Sequence, residues 1–259
     1  KRDDALPFGF GGNKVRKLDL VAARAQADGA DTLLTVGGVQ SNHARATAAA
    51  AARLGLRCIL VLNGARPDRA TGNALLEGLL GAEIRYVASR AERAPAMRAE
   101  ADRLRAQGRR PYEIPLGAST PLGSMAYARA VAELAGQGPA PDVIVHASSS
   151  GGTQAGLLAG IALLGLPTRV LGISADDPAP ALSELIAGLD GFVGEGYGIP
   201  TPASREAIEL AARTEALFLD PTYTAKAMAG LIAHVRAGRF RSDETVLFWH
   251  TGGLPGLFA

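Results

Sequence analysis

Apolar positions along this chain switch repeatedly between two periods. Val15, Leu18, Val21, Ala22 and Ala25 recur at helical spacing, and Gly29 is a fitting stop. Thr32-Leu33-Leu34-Thr35-Val36 is a short apolar run suited to a buried strand. An alanine-rich run from His43 to Leu54, closed by Gly55, predicts a helix, and Arg57 to Leu62 a second strand. Strand, glycine loop, helix and strand make a βαβ unit, which requires parallel pairing. The alternation continues to the end. Further helices are expected at 71–80, 91–107, 121–135, from the glycines near 151 to Leu164, and at 178–189, 203–213 and 222–236. Further strands are expected at Glu83 to Val87, Pro111 to Pro115, Asp142 to His146, Arg169 to Ile173, Leu217 to Leu219 and Thr245 to Trp249. The glycines and prolines between Asp190 and Pro202 predict a loop. The class is α/β, with ligands expected at the carboxyl ends of strands.

Composition narrows the partners. The 259 residues suffice for one large domain or two modest ones, and 47% hydrophobic with 20% charged residues is ordinary for a globular protein. A net charge of +2 gives no reason to expect nucleic acid or an anionic membrane. No apolar run approaches the ~20 residues that span a bilayer, so a cytoplasmic enzyme is the default expectation. The one cysteine, Cys58, lies in an apolar run and reads as a buried structural thiol. The opening Lys1-Arg2-Asp3-Asp4 reads as the end of a strand entering a loop, and further residues are expected to precede it.

Four stretches carry candidate chemistry. Gly11-Gly12-Asn13-Lys14-Val15-Arg16-Lys17-Leu18 sets a lysine at a tight junction before a helix. Such a lysine is either a surface charge or a desolvated amine able to form a Schiff base. Ser149-Ser150-Gly151-Gly152-Thr153, after a strand and opening a helix, is either a tight turn or a cradle of N–H groups for an anion. At Gly37-Gly38-Val39-Gln40-Ser41-Asn42-His43, Ser41 suits a helix cap, but a cap leaves the crowding of Gln40, Asn42 and His43 unexplained. Tyr197, between two glycines, and Tyr223, in Asp220-Pro221-Thr222-Tyr223-Thr224-Ala225-Lys226, stand at loop junctions in a chain with only 5% aromatics. Their phenols can donate, accept or relay protons. The four histidines lack metal-ligand spacing with cysteines or carboxylates, so no metal is expected.

Taken together, these motifs resemble the D-cysteine desulfhydrase and 1-aminocyclopropane-1-carboxylate (ACC) deaminase family across essentially the whole chain. Gly151-Gly152-Thr153-Gln154-Ala155-Gly156, Gly196-Tyr197-Gly198 and His250-Thr251-Gly252-Gly253 agree with the family pattern as well. The resemblance implies pyridoxal 5′-phosphate (PLP) and the tryptophan-synthase-β-like fold (fold type II). That fold has two three-layer α/β/α domains with mostly parallel sheets, here 17–118 as the small domain and 1–16 plus 119–259 as the PLP-bearing one. It also implies a homodimer acting on a small amino acid. Residue by residue, Lys14 is similar to the Schiff-base lysine, Asn42 to the amide holding the ring oxygen of PLP, and Ser150, Gly151, Gly152 and Thr153 to the phosphate loop. Ser41 matches the serine beside the substrate, which binds its carboxylate or aids proton transfer. Tyr197 and Tyr223 match the active-site tyrosine pair, with His43 and Thr224 as further substrate-side candidates. Thr224 and Thr251 stand where the ACC deaminases carry Glu and Leu, and both resemble the desulfhydrase branch, in which Thr251 bonds the pyridine nitrogen. A hydroxyl there makes a weaker electron sink than a carboxylate, which suits loss of a thiolate better than opening of a cyclopropane. The stretch 174–196 is shorter than the resemblance leads one to expect.

Overall fold

The computed structural model describes residues 1–175 and 192–259, so the helix expected at 178–189 lies outside the described residues. The chain divides into two compact units. One comprises Lys1–Asn13 with Ser124–Leu257, the other Lys14–Gly123 with Phe258–Ala259.

The smaller unit is built on a four-stranded parallel sheet. Its strands are β1 (Thr32–Gly38), β2 (Arg57–Asn63), β3 (Glu83–Val87) and β4 (Pro111–Ile114), in the order β3-β2-β1-β4. β1 and β2 pair with Leu34 opposite Ile59 and Val36 opposite Val61. These strands are apolar throughout because both faces are covered. Leu33, Leu60 and Leu62 pack with Leu18 and Val21 of α1 (Asn13–Ala27) and with Ala44, Ala48 and Ala51 of α2 (Asn42–Leu54). Leu34, Val36, Ile59 and Val61 meet Met97, Ala101 and Leu104 of α4 (Arg93–Ala106) on the other face. α3 (Gly72–Leu79) lies between β2 and β3 in sequence. The alanine run of α2 brings that helix close to the sheet, and its ends are set by Ser41 and by Gly55, whose φ of 68° needs no Cβ. Cys58 is buried in the first of these clusters, and burial pushes its thiol up to about 12, so it is an inert packing group.

The larger unit carries a three-stranded parallel sheet in the order β6-β5-β7, formed by β5 (Val143–Ser148), β6 (Arg169–Ser174) and β7 (Val246–Trp249). Residues of α5 (Pro121–Ala135) and α6 (Gly152–Leu164) cover one face through Tyr127, Val131, Leu157 and Ile161 against Ile144 and Trp249. The opposite face meets α8 (Thr224–Arg236) through Ala227 against Val143, Val145 and Ile173; α7 (Pro202–Glu215) packs beside α8. The opening residues run into this sheet edge, as their pattern predicts. Arg2 forms a parallel bridge with His250, the His250 amide donates to the Lys1 carbonyl at 2.8 Å, and the Asp3 amide donates to the His250 carbonyl at 3.1 Å.

One expected strand is not formed: among the described residues Leu217 to Leu219 pairs with no sheet. Ala216 turns the chain at φ 50°, and the Phe218 carbonyl accepts from the His250 ring at 2.9 Å instead of from a neighbouring strand. The apolar character of the stretch serves packing, since Leu219 is buried with Ala211 and Ala225 between α7 and α8.

The approach of α6 to α5 depends on glycine. A Cβ on Gly156 would lie 2.1 Å from the Ser124 carbonyl oxygen and 2.5 Å from the Tyr127 Cβ. Gly156→Ala is therefore expected to cost about 1–3 kcal/mol in urea unfolding, as overpacking does; an unchanged midpoint would show that the helix pair yields without strain.

Candidate active site

In the larger unit the candidate residues gather at the carboxyl end of the sheet. The chain enters α6 through Gly151, held at φ 75°, and among the described residues no side chain caps this helix start. Uncapped N–H groups of a first helical turn, with the positive end of the helix dipole, form a site for a phosphate. Thr153 stands in that turn, and its Oγ1 accepts from the Asn13 Nδ2 at 3.0 Å. The glycine pair ahead of Asn13 makes a close backbone approach to a second glycine pair. A Cβ on Gly12 would sit 3.0 Å from the Thr251 carbonyl oxygen, and one on Gly252 would sit 2.4 Å from the Gly12 Cα. The Asn13 amide donates to the Thr251 carbonyl at 2.8 Å, closing this contact. Thr251 is buried, and its hydroxyl takes no partner among the described residues.

The tyrosines meet. The Tyr197 and Tyr223 hydroxyls are 2.6 Å apart, with the rings edge to face at 5.7 Å between centroids. Each is positioned by a residue of the 220–226 motif to which the sequence pattern alone assigns no role. Asp220 holds the turn before α8: one carboxylate oxygen accepts from the Thr222 and Tyr223 amides, the other from the Thr224 amide and the Thr224 hydroxyl. The Thr224 hydroxyl also accepts from the Asp220 amide at 2.8 Å, so this fully buried hydroxyl is spent within the turn. Lys226, also fully buried, donates to the carbonyls of Val193 and Gly196 at 2.7 and 2.8 Å, which ties the segment bearing Tyr197 to α8. An aspartate two to four residues ahead of a helix is a readable cap signal; nothing in the sequence around Lys226 shows that it faces inward.

In the smaller unit, Lys14 is the second residue of α1, and Ser41, Asn42 and His43 open α2. Ser41 Oγ accepts from the Ala44 amide at 3.2 Å, which leaves its own proton to donate elsewhere. His43 points inward, is buried, and bonds Thr35 Oγ1 at 2.7 Å. Burial first, then the positive charges of Lys14 and Lys17, push the His43 ring well below the usual histidine range, so it is a neutral group at pH 7. Lys17 is buried as well and donates to the Gly117 carbonyl at 3.2 Å; burial, with Lys14 second, pushes its amine well below the usual lysine range. Asn42 Oδ1 accepts from Asn73 Nδ2 at 2.9 Å. Two further ionisable side chains, Arg45 and Glu77, are buried in this unit, and Arg45 Nε donates to Asn73 Oδ1 at 3.2 Å. Burial pushes the Glu77 carboxyl up to about 8, against the attraction of Arg45, and lowers the Arg45 guanidinium to about 10. Among the described residues no cluster of histidine, cysteine, aspartate or glutamate could hold a metal ion, and no helix is long and apolar enough to cross a membrane.

Residues 1–252 match the family model of pyridoxal-phosphate dependent enzymes, and the chain belongs to that family. It is 41% identical to the D-cysteine desulfhydrases of Salmonella newport and Salmonella typhimurium, covering 100% of this chain and 87% of each relative. That alignment runs over 288 positions, more than the 259 residues here, so the relatives carry segments that this chain lacks. Among solved structures, an ACC deaminase homologue superposes with a TM-score of 0.93 at 37% identity, over 100% of this chain and 85% of the other. A fungal L-serine ammonia-lyase from Rhizomucor miehei shares the fold at a TM-score of 0.75 and 17% identity, over 100% of this chain and 88% of the other. The fold is the type II architecture expected, and the chain is a pyridoxal-phosphate dependent lyase of the desulfhydrase and ACC deaminase group.

Two of these contacts can be tested by substitution. The Asp220 carboxylate accepts from four donors, so Asp220→Asn must turn an NH2 toward some of them. A loss of about 2–3 kcal/mol in urea unfolding is expected, and a loss under a few tenths would show that the turn does not depend on the charge. Glu77 keeps its proton up to about pH 8 in the fold, whereas the free carboxyl releases it near 4.5. Between these values the folded state binds more protons, so stability falls as pH rises through that window and levels above it. Unfolding of Glu77→Gln across the same range is expected to lack this slope; an identical slope in the variant would assign it to other groups.

Proposed function

We propose that this chain eliminates the β-substituent of a small amino acid, with D-cysteine as substrate and pyruvate, sulfide and ammonia as products. The observation that carries the choice within the group is the contrast between two threonines. The Thr224 hydroxyl is committed to Asp220, while the Thr251 hydroxyl is uncommitted among the described residues. In this reading the Thr251 hydroxyl would hold the pyridine nitrogen of PLP, and a hydroxyl there would make a weaker electron sink than a carboxylate. A weaker sink suffices when thiolate leaves.

The residues present fit PLP. The uncapped start of α6 suits its phosphate, with Ser150, Gly151, Gly152 and Thr153 as the cradle, and Asn42 offers an amide for its ring oxygen. Lys14 is the covalent attachment point. When bound, the cofactor supplies the sink for the electron pair left at the substrate α-carbon. Ser41, with a hydroxyl proton left to donate, takes the substrate carboxylate, and His43 stays neutral behind it. Tyr197 and Tyr223 share one hydrogen bond between two phenols, so one oxygen can take up a proton while the other donates to it. Lys14, or Tyr223 with Ser41, would take the α-proton. Thr224 contributes through the turn that carries Tyr223.

We further propose a homodimer in the cytoplasm, with domains at 17–118 and at 1–16 plus 119–259. Exposed Leu158, Leu163 and Leu164 on α6 support an apolar subunit contact. A second substrate reading within the group is L-cysteate or another β-substituted amino acid; the two threonines argue against ACC and do not separate D-cysteine from these. Parallel assays of D-cysteine, L-cysteate, β-chloro-D-alanine and ACC are expected to give pyruvate with sulfide from D-cysteine and no product from ACC. Turnover of another substrate without sulfide from D-cysteine would reject the assignment.

A further inference from the structure

The side-chain amide of Asn42 is oriented by a chain of donors and acceptors in which only one polarity works. Arg45, 1% exposed, donates from Nε to Asn73 Oδ1 at 3.2 Å. A guanidinium cannot accept, so the oxygen of the Asn73 amide must face Arg45. The other end of the same amide lies 2.9 Å from the Gln40 carbonyl, which cannot donate, so the nitrogen must face Gln40. These two constraints are independent and agree. The Asn73 NH2 therefore has a second hydrogen to give, and it goes to Asn42 Oδ1 at 2.9 Å. Asn42 is left with its NH2 as the end not bonded to Asn73. Asn73 is itself pinned from outside this chain of bonds: its amide N–H donates to Gln40 Oε1 at 2.8 Å, and the Gln40 Nε2 donates to the Thr71 carbonyl at 3.2 Å. Asn73 is fully buried, so water does not compete for these bonds.

We propose that Asn73, its amide polarity fixed by Arg45, is a positioning residue that makes Asn42 a hydrogen-bond donor and never an acceptor toward its ligand. The inference rests on the reading that Asn42 faces the ring oxygen of PLP. That oxygen carries negative charge in the bound cofactor, so a donor stabilises it and a carbonyl oxygen in the same place repels it. Buried relays of this kind matter because a reversed amide has the same shape and opposite electrostatics.

Two measurements on the full chain test this. In the wild type before PLP is added, the side-chain NH2 hydrogens of Asn73 are expected to exchange with solvent more than about tenfold more slowly than those of Asn42. Equal rates, or a protected Asn42, would overturn the assigned polarity. Adding PLP is expected to shift and slow the Asn42 NH2 signals; if PLP does not bind at all, the proposed function fails while the ordering of the two amides stands. Asn73→Asp then reverses the relay, because an aspartate still accepts from Arg45 but cannot donate to Asn42. PLP affinity is expected to fall about tenfold, and the pH midpoint of the bound-cofactor absorbance to rise by about one unit. Asn42→Asp is expected to change both in the same direction. An Asn73→Asp protein that binds PLP within about twofold of wild type, with an unmoved midpoint, would refute the proposal. If that variant does not fold, the exchange measurement in the wild type decides.

Discussion

A buried carboxylate near the start of the chain holds the segment that leads to Lys14. Asp3 is fully buried and accepts from the Tyr127 hydroxyl and from the Trp249 indole N–H, the latter at 2.8 Å. Its own carbonyl accepts from the Gly12 amide at 2.7 Å, which folds residues 3–12 into a closed loop. A buried charge is tolerated only when hydrogen-bonded, and here its bonds join the chain start to α5 and to the end of β7. From that loop Gly12 runs against Thr251 and Gly252, and Asn13 reaches both the Thr251 backbone and the Thr153 hydroxyl. Asn13 thus links the phosphate-type turn to the threonine proposed for the pyridine nitrogen, and the next residue in the chain is Lys14. The glycines of this stretch serve close backbone packing, which is one of the two roles that a glycine pair suggests.

Much of the architecture was legible in the pattern of apolar residues. Fully buried parallel strands have an unmistakable signature, so β1, β2, β5 and β6 lie within two residues of their expected limits. Helix ends marked by Gly29 and Gly55, both in the left-handed region, were equally plain. Leu217 to Leu219 misled because a three-residue apolar run says nothing about whether it pairs or only packs. The candidate site was legible where residues act through their own motif: Tyr197 and Tyr223 do meet, and Ser41 does cap α2. It was illegible where a residue acts through a distant partner. Asn73, Lys226 and Asp3 reach residues 31, 30 or 33, and 246 or 124 positions away, separations that no local pattern encodes. Thr224 shows the same limit from the other side, since only the structure shows that its hydroxyl belongs to Asp220.

The two halves of the proposed chemistry are prepared in different ways. In the larger unit, polar groups are set by short backbone motifs: an uncapped helix start, an aspartate turn and a lysine bound to two carbonyls. In the smaller unit the polar groups at the head of α2 are set by buried side chains, with Thr35 on His43 and Asn73 on Asn42. Charge is handled sparingly there. His43 is kept neutral by burial and by two nearby lysines, and Glu77 keeps its proton near neutral pH.

α1 contains a second lysine that competes for the central role. Lys17 is buried and its amine is held well below the ordinary lysine range, which is the usual preparation of a nucleophilic lysine, yet it is bound to the Gly117 carbonyl. Borohydride reduction of the PLP-loaded protein, followed by mass mapping of its peptides, separates the two directly. The pyridoxyl group is expected on Lys14 alone; its appearance on Lys17, or on neither lysine, would contradict the assignment of Lys14.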